Sequence, residues 1–284
     1  MLIAQITDLH LGFEPNNPAE FNRKRLDQTL RTLVAMKPRP DLLLITGDLA
    51  DTGDDMISYR RLKSALGRFP IPVWPAMGNH DNRAAFARYF PHVPMADGFV
   101  QYTIEDFPVR ILVLDTLEEG RHSGGFCEVR AAWLRARLAE APDRPTIIVL
   151  HHPPVETGLS WMSENPDAAW VNRLRKIIGG QDNIVAMLAG HLHRPITMQW
   201  AGTTLSVCPS TAPQVALDLD EIDPERPDGR PMIVADSPGY AIHYWNGETL
   251  VSHYDTSEDH TVLASYEPAL QPLVQMLLAE KKEG

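Results

Sequence analysis

Short apolar runs that stop abruptly at polar residues punctuate the first two-thirds of the chain, and helix-period patterns separate them. Leu2 to Thr7 and Asp41 to Thr46 read as buried strands. Between them Leu26, Leu30, Leu33 and Val34 recur at helical spacing, and Pro38 and Pro40 close that helix. A second helix is expected over Ile57 to Leu66, a strand over Val73 to Met77 and a helix over Arg83 to Tyr89. Phe99 to Ile104 and Val109 to Leu114 form an expected strand pair. Glu128 to Glu140 (helix), Thr146 to Leu150 (strand), Ala168 to Ile178 (helix) and Ile184 to Leu188 (strand) continue the alternation.

After residue 193 the pattern becomes strands alone: Ile196 to Trp200, Thr203 to Val207, Val215 to Leu219, Tyr240 to Trp245 and Leu250 to Tyr254. Asp220 to Pro238 is rich in Pro, Asp and Gly, and is expected as an exposed loop. From about Glu267 onward Leu270, Leu273, Val274, Leu277 and Leu278 suit a terminal helix, packed on the body or on another subunit. Alternating elements followed by strands predict a layered α/β fold on mixed sheets. The polar clusters fall just past strand ends, where ligands of such sheets usually sit.

Length narrows this picture: 284 residues suit a single elaborated domain better than two independent cores. No apolar stretch approaches membrane-spanning length, and the N-terminus runs straight into a strand without a signal-peptide pattern. Cys127 and Cys208 form no CxxC pair, so they read as two reduced thiols of a cytoplasmic protein. The net charge of −11 argues against a nucleic-acid polymer as partner. It leaves room for a small phosphate ester, because bound cations can dominate the local field.

Five clusters carry candidate chemistry: Asp8-Leu9-His10, Gly47-Asp48, Gly78-Asn79-His80-Asp81, His151-His152-Pro153-Pro154 and Gly190-His191-Leu192-His193. Each alone has an ordinary explanation as a strand-end turn or a satisfied core imidazole. Together they supply imidazoles, carboxylates and a carboxamide without a thiolate, a mixture suited to Mn, Fe, Zn or Co. In an extended segment residues x and x+2 point the same way, so Asp8 with His10, and His191 with His193, are each expected to reach one ion. Seven ligands exceed one tetrahedral site and suit two ions with a shared carboxylate.

In this order and spacing DxH, GD, GNHD, HHPP and GHxH resemble the calcineurin-like metallophosphoesterases. The likeness is greatest to bacterial class III cyclic-nucleotide phosphodiesterases and glycerophosphodiesterases. The resemblance implies a four-layer αββα sandwich of two mixed sheets flanked by helices. Its catalytic domain would span residues 1–255, with 156–170 as a cap or interface segment and 256–284 as a C-terminal tail or helix. It further implies that Asp8, His10 and His193 bind one divalent ion, that Asn79, His151 and His191 bind another, and that Asp48 bridges them. His80 would stand by the reacting phosphate as the catalytic side chain, with hydrolysis by a metal-activated hydroxide.

Around this centre, Asp81, Asp115 and His152 are candidates for orienting ligands by hydrogen bonds. Phe21 and Asn22 resemble the substrate-side edge of the glycerophosphodiesterases, and His122 and Ser123 lie in a Gly-rich loop within expected reach of substrate. Near Ser210-Thr211-Ala212-Pro213-Gln214 some relatives carry a His where this chain has Pro213, so a contact made there does not transfer. Trp161, Met162 and Trp170 suit either a cap or a subunit contact. The expected activity is hydrolysis of small diesters, cyclic nucleotides or glycerophosphodiesters, with no membrane partner and a homo-oligomer left open. The alternatives are a phosphomonoesterase, or a scaffold of the same fold that has given up catalysis. A scaffold would be expected to have lost ligands, and none is missing.

Overall fold

In the computed structural model, which describes residues 1–283, strand and helix alternate through the first twelve elements except at the β4–β5 pair. They are β1 (Leu2–Ile6), α1 (Phe21–Ala35), β2 (Leu42–Thr46), α2 (Met56–Leu66), β3 (Val73–Ala76), α3 (Arg83–Tyr89), β4 (Tyr102–Ile104), β5 (Arg110–Val113), α4 (Glu128–Glu140), β6 (Thr146–Val149), α5 (Ala169–Ile178) and β7 (Ile184–Ala189). Strands follow: β8 (Ile196–Trp200), β9 (Thr203–Val207), β10 (Gln214–Val215), β11 (Ile233–Val234), β12 (Gly239–Trp245) and β13 (Leu250–Thr256). A single 3₁₀ turn and α6 (Gln271–Glu283) complete the described residues. Local chemistry fixes two helix starts. The Asp55 carboxylate accepts the Ile57 and Ser58 N–H groups at the head of α2, and Asn82 accepts the Ala85 N–H at the head of α3.

Two mixed sheets stack face to face, one ordered β13-β12-β1-β2-β3 and the other β4-β5-β6-β7-β9-β8. Side-chain alternation builds the layers. Ile111, Val113, Ile147, Val149 and Leu188 join the core shared with the first sheet. Their strand neighbours Leu112, Ile148, Met187 and Ala189 join the core under α4 and α5. Leu26, Leu30 and Leu33 of α1 and Tyr59 and Leu62 of α2 cover the first sheet's outer face. β2 is buried on both faces along all five residues, as a central parallel strand must be. The result is the expected αββα sandwich.

Beneath the carboxyl ends of the strands, a buried polar network joins the sheets. The Gln5 amide donates to Thr46 Oγ1 at 2.8 Å and to the Ala189 carbonyl at 2.9 Å. Its Oε1 therefore accepts from His243 Nε2 at 2.9 Å, and the Ser252 hydroxyl donates to His243 Nδ1 at 2.8 Å. Burial, then His253, pushes the His243 imidazole down from 6.5 to about 3. Between those values the unfolded chain binds a proton that the folded chain refuses. Stability is therefore fully present above the unfolded value and falls with pH, by about 1.4 kcal/mol per unit. Urea unfolding of wild type and His243→Gln between about pH 7 and 5 should give a shallower slope for the variant, and equal slopes would contradict this role.

The C-terminal third departs from expectation around β10 and β11. Val215 to Leu219 is not a strand: only Gln214–Val215 pairs, Leu217 and Leu219 are exposed, and the partner is β11 inside the expected loop. A two-residue strand has no periodicity to detect. α6 is the expected terminal helix, and its Leu273, Met276, Leu277 and Leu278 are exposed, so of the two coverings open to it the body supplies none for these four. Among the described residues no helix is long and apolar enough to cross a membrane.

Candidate metal centre

β1, β2 and β3 run parallel in one sheet, and β6 and β7 run parallel in the other. Asp8 and His10 leave β1, Asp48 leaves β2, Asn79 and His80 leave β3, His151 leaves β6, and His191 and His193 leave β7. One buried cluster therefore forms where the carboxyl ends of both sheets meet. The reason Asp8 and His10 share it differs from the expected strand alternation. Asp8, His10, Asp48, His191 and His193 all have positive φ, at 51°, 43°, 50°, 72° and 53°. These are left-handed turns of non-glycine residues, each strained by about 1–2 kcal/mol.

Hydrogen bonds hold the turns. Asp8 N–H donates to the Gly47 carbonyl at 3.1 Å, Leu9 N–H to the Asp48 carbonyl at 2.8 Å, and His191 N–H to Asp8 Oδ2 at 3.0 Å. Asp81 gathers Leu49 N–H, Gly78 N–H and the Tyr59 hydroxyl at 3.1, 2.9 and 2.7 Å, joining the two loops that carry Asp48 and Asn79. Gly47, at φ +101°, passes so near His151 that a Cβ there would lie 2.3 Å from its Nδ1.

The donor atoms converge in two groups. His10 Nε2 lies 3.2 Å from His193 Nε2, and His193 Nε2 lies 3.4 Å from Asp8 Oδ1. Asn79 Oδ1 lies 3.1 Å from His151 Nε2 and 3.0 Å from His191 Nδ1. Asp48 Oδ2 touches both groups, 3.5 Å from His10 Nε2 and 3.3 Å from His151 Nε2. A tetrahedral ion with bonds of about 2.0–2.1 Å has ligand-to-ligand edges of about 3.4 Å, so the spacing matches.

Tautomers agree with this reading. His193 Nδ1–H donates to the Pro213 carbonyl and His151 Nδ1–H to the Thr46 carbonyl, at 2.8 and 2.7 Å. Asp51 Oδ1 lies 3.3 Å from His10 Nδ1. With protons fixed on the outer nitrogens, the Nε2 lone pairs of His10 and His193 face each other. That arrangement repels unless a cation lies between them. The residues present thus fit bound metal.

The electrostatics point the same way. Burial pushes the Asp8 carboxyl up, but His193 and His151 outweigh it and hold it below the usual range. Asp48 is likewise opposed by burial and held well down by His151, His10 and His80. Burial lowers His151, and Asp48 and Asp8 override that to raise it to about 9. These carboxylates draw positive charge into the cluster, a demand that protons or a metal can meet and for which the two compete.

Residues 1–195 match the sequence profile of the calcineurin-like phosphoesterases. The chain belongs to this family. Among its relatives is a probable glycerophosphodiester phosphodiesterase of Arcobacter nitrofigilis, 30% identical over 87% of this chain and 90% of the relative. A probable cyclic nucleotide phosphodiesterase of Rhodopseudomonas palustris is 41% identical over 72% of this chain and 73% of the relative. A crystal structure of a dimetal phosphatase from Danio rerio shares the fold at a TM-score of 0.64 and 15% identity, covering 91% of this chain and 97% of that one.

For a calcineurin-like phosphoesterase, the remaining candidates fall in informative places. His80 stands at the edge of the cluster, its ring edge-on to His10 at 4.6 Å, its N–H donated to Asp48 Oδ1 at 2.9 Å and its Nδ1–H to the Asp51 carbonyl at 2.7 Å. Asn22 lines the adjoining cavity and donates to the His10 carbonyl at 2.9 Å. Phe21 does not line it. Its exposed ring lies 5.3 Å under the Arg25 guanidinium, because the first turn of α1 aims it away.

His122 packs on His191 with ring centroids 4.6 Å apart, whereas the Ser123 hydroxyl is turned to Glu164 at 2.8 Å. His152 lies behind His191, its Nδ1 2.8 Å from Thr116 Oγ1. Asp115 has a different task from Asp81. Its carboxylate takes a two-pronged bond from Arg83 and the N–H groups of Val100 and Leu117, away from the donor cluster. Met162 and Trp170 are core residues under the second sheet, and buried Glu164 pins the Ser123–Gly124 turn to the body. Asp51 and Tyr59 sit in no motif and act only through the folded chain, and Phe13 and Ile233, which line the adjoining cavity, carry no sequence signal either.

Proposed function

We propose that this chain hydrolyses small phosphodiesters at a two-metal centre. One observation carries the reading: a single carboxylate oxygen, Asp48 Oδ2, lies within 3.5 Å of the facing nitrogens of both donor groups. Asp8, His10 and His193 would hold one divalent ion and Asn79, His151 and His191 the other, with Mn, Fe, Zn or Co compatible with these donors. Bound there, such ions supply Lewis acidity toward the phosphoryl oxygens and ease deprotonation of water.

The rest is the work of the side chains. Two carboxylate ligands cannot cancel two divalent charges, so the centre attracts an anionic ester despite the acidic surface. With its Nδ1–H held by Asp51, His80 is oriented as a fixed donor. In its charged form its Nε2–H donates to the leaving alkoxide as the bond to phosphorus breaks. Asn22 fixes the His10 loop from below. His122 and His152 hold the His191 ring in place from two sides. The named activities of the relatives favour cyclic nucleotides or glycerophosphodiesters, and the free Cys127 and Cys208 suit a cytoplasmic protein.

The test is turnover of cyclic AMP, glycerophosphocholine, an aryl diester and the matching monoester by protein of measured metal content. Diester turnover abolished by chelation is the expected result. Preference for the monoester would make it a phosphatase, and no turnover with any of these metals would favour a scaffold.

A further inference from the structure

Phe13 presents 65% of its surface to solvent, yet the backbone on either side of it is fixed. The carboxylate of Glu20, itself buried, accepts Gly12 N–H at 2.8 and 3.0 Å and Glu14 N–H at 3.2 Å. Gly12, at φ +96°, is pressed against the head of α2, where a Cβ would lie 2.4 Å from Asp55 Oδ2 and 2.5 Å from Ser58 Oγ. A buried carboxylate and a glycine-only turn thus hold out a ring that contributes little to the core.

The ring borders a cavity of about 270 Å³ that also touches His10, His80 and His193. Pro213 and Ile233 line the same cavity, and Ile233 is 54% exposed. Ile233 is held by the pairing of β11 with β10, and Pro213 by the hydrogen bond from His193 to its carbonyl. No lysine or arginine lines the cavity. A polar glycerol moiety would find few hydrogen-bond partners on Phe13, Pro213 and Ile233, whereas a flat heterocycle can bury apolar surface against them. A quaternary ammonium is a poorer fit, since one aromatic ring makes no cage and the Asp51 carboxylate already faces His10.

We propose that Phe13 and Ile233 form a clamp for the planar base of a nucleoside-bearing diester, and so set this enzyme's preference for such esters over glycerol esters. The proposal rests on the phosphodiesterase reading of the adjoining centre. Losing one base–aromatic stack corresponds to roughly a 5- to 150-fold loss.

The experiment compares metal-loaded wild type, Phe13→Ala, Phe13→Tyr and Ile233→Ser on cyclic AMP and glycerophosphoethanolamine, with calorimetric binding of AMP and of glycerol 3-phosphate. In Phe13→Ala the ratio of kcat/KM for cyclic AMP over the glycerol ester should fall by about tenfold or more, chiefly through KM. AMP binding should weaken by a similar factor, much more than glycerol 3-phosphate binding. Ile233→Ser should move both in the same direction, and Phe13→Tyr should restore them. Equal losses on both esters and both ligands, or no change in the ratio, would overturn the clamp. If wild type hydrolyses neither ester, the phosphodiesterase reading fails, and selective loss of AMP binding still decides for or against the clamp.

Discussion

Asp48→Ala is expected to leave a folded protein that holds less than half of the wild-type metal and has lost roughly a thousandfold or more in diester turnover. The size follows from the several kcal/mol of charge stabilisation that such ions supply, at about 1.4 kcal/mol per tenfold. The geometry gives the reason. Asp48 Oδ2 is the atom placed against both donor groups, while Oδ1 accepts the His80 N–H. Asp48→Asn separates charge from shape: its amide oxygen can keep the His80 contact, but it lacks the anionic charge. It should lose metal nearly as fully as the alanine variant, read by elemental analysis after gel filtration. Wild-type metal content in both variants would contradict the bridging role.

His80→Ala should behave in the opposite way, keeping its metal and losing about 10²- to 10⁴-fold in kcat on esters with alkoxide leaving groups. His80 donates its backbone N–H to Asp48 and its ring Nδ1–H to the Asp51 carbonyl, so its Nε2 is left for substrate. An aryl oxide needs little protonation to depart. The loss should therefore shrink on an aryl diester, and a loss of equal size on both kinds of ester would remove the proton-donor role.

The parts of this molecule legible in its sequence are those where local chemistry and tertiary need coincide. Arg83–Tyr89 is a helix in both readings because Asn82 caps it and Phe86 and Tyr89 share its buried face. The hairpin of β8 and β9 turns at Ala201-Gly202, both at positive φ, where its two alternating runs meet. The five candidate motifs are legible because each joins side chains of the metal-binding kind to the end of a buried strand.

What was not legible depends on distant partners. Nothing in Asp8-Leu9-His10 signals a left-handed turn; the Gly47 and Asp48 carbonyls, from another strand's end, impose it. Asp115 and Asp81 look alike in sequence, but Arg83 claims the first and Tyr59 the second. No local pattern separates Phe21 from Phe13, since the direction of each ring is set by α1 and by the Glu20-braced turn. β11 needs β10 to exist at all.

The most direct measurement is diester turnover by chelator-stripped wild-type protein as a divalent ion such as Mn is added back in known equivalents. Turnover should be absent at the start and should level off only after the second equivalent per chain. Full activity in the stripped protein, or a plateau after one equivalent, would contradict the two-metal centre.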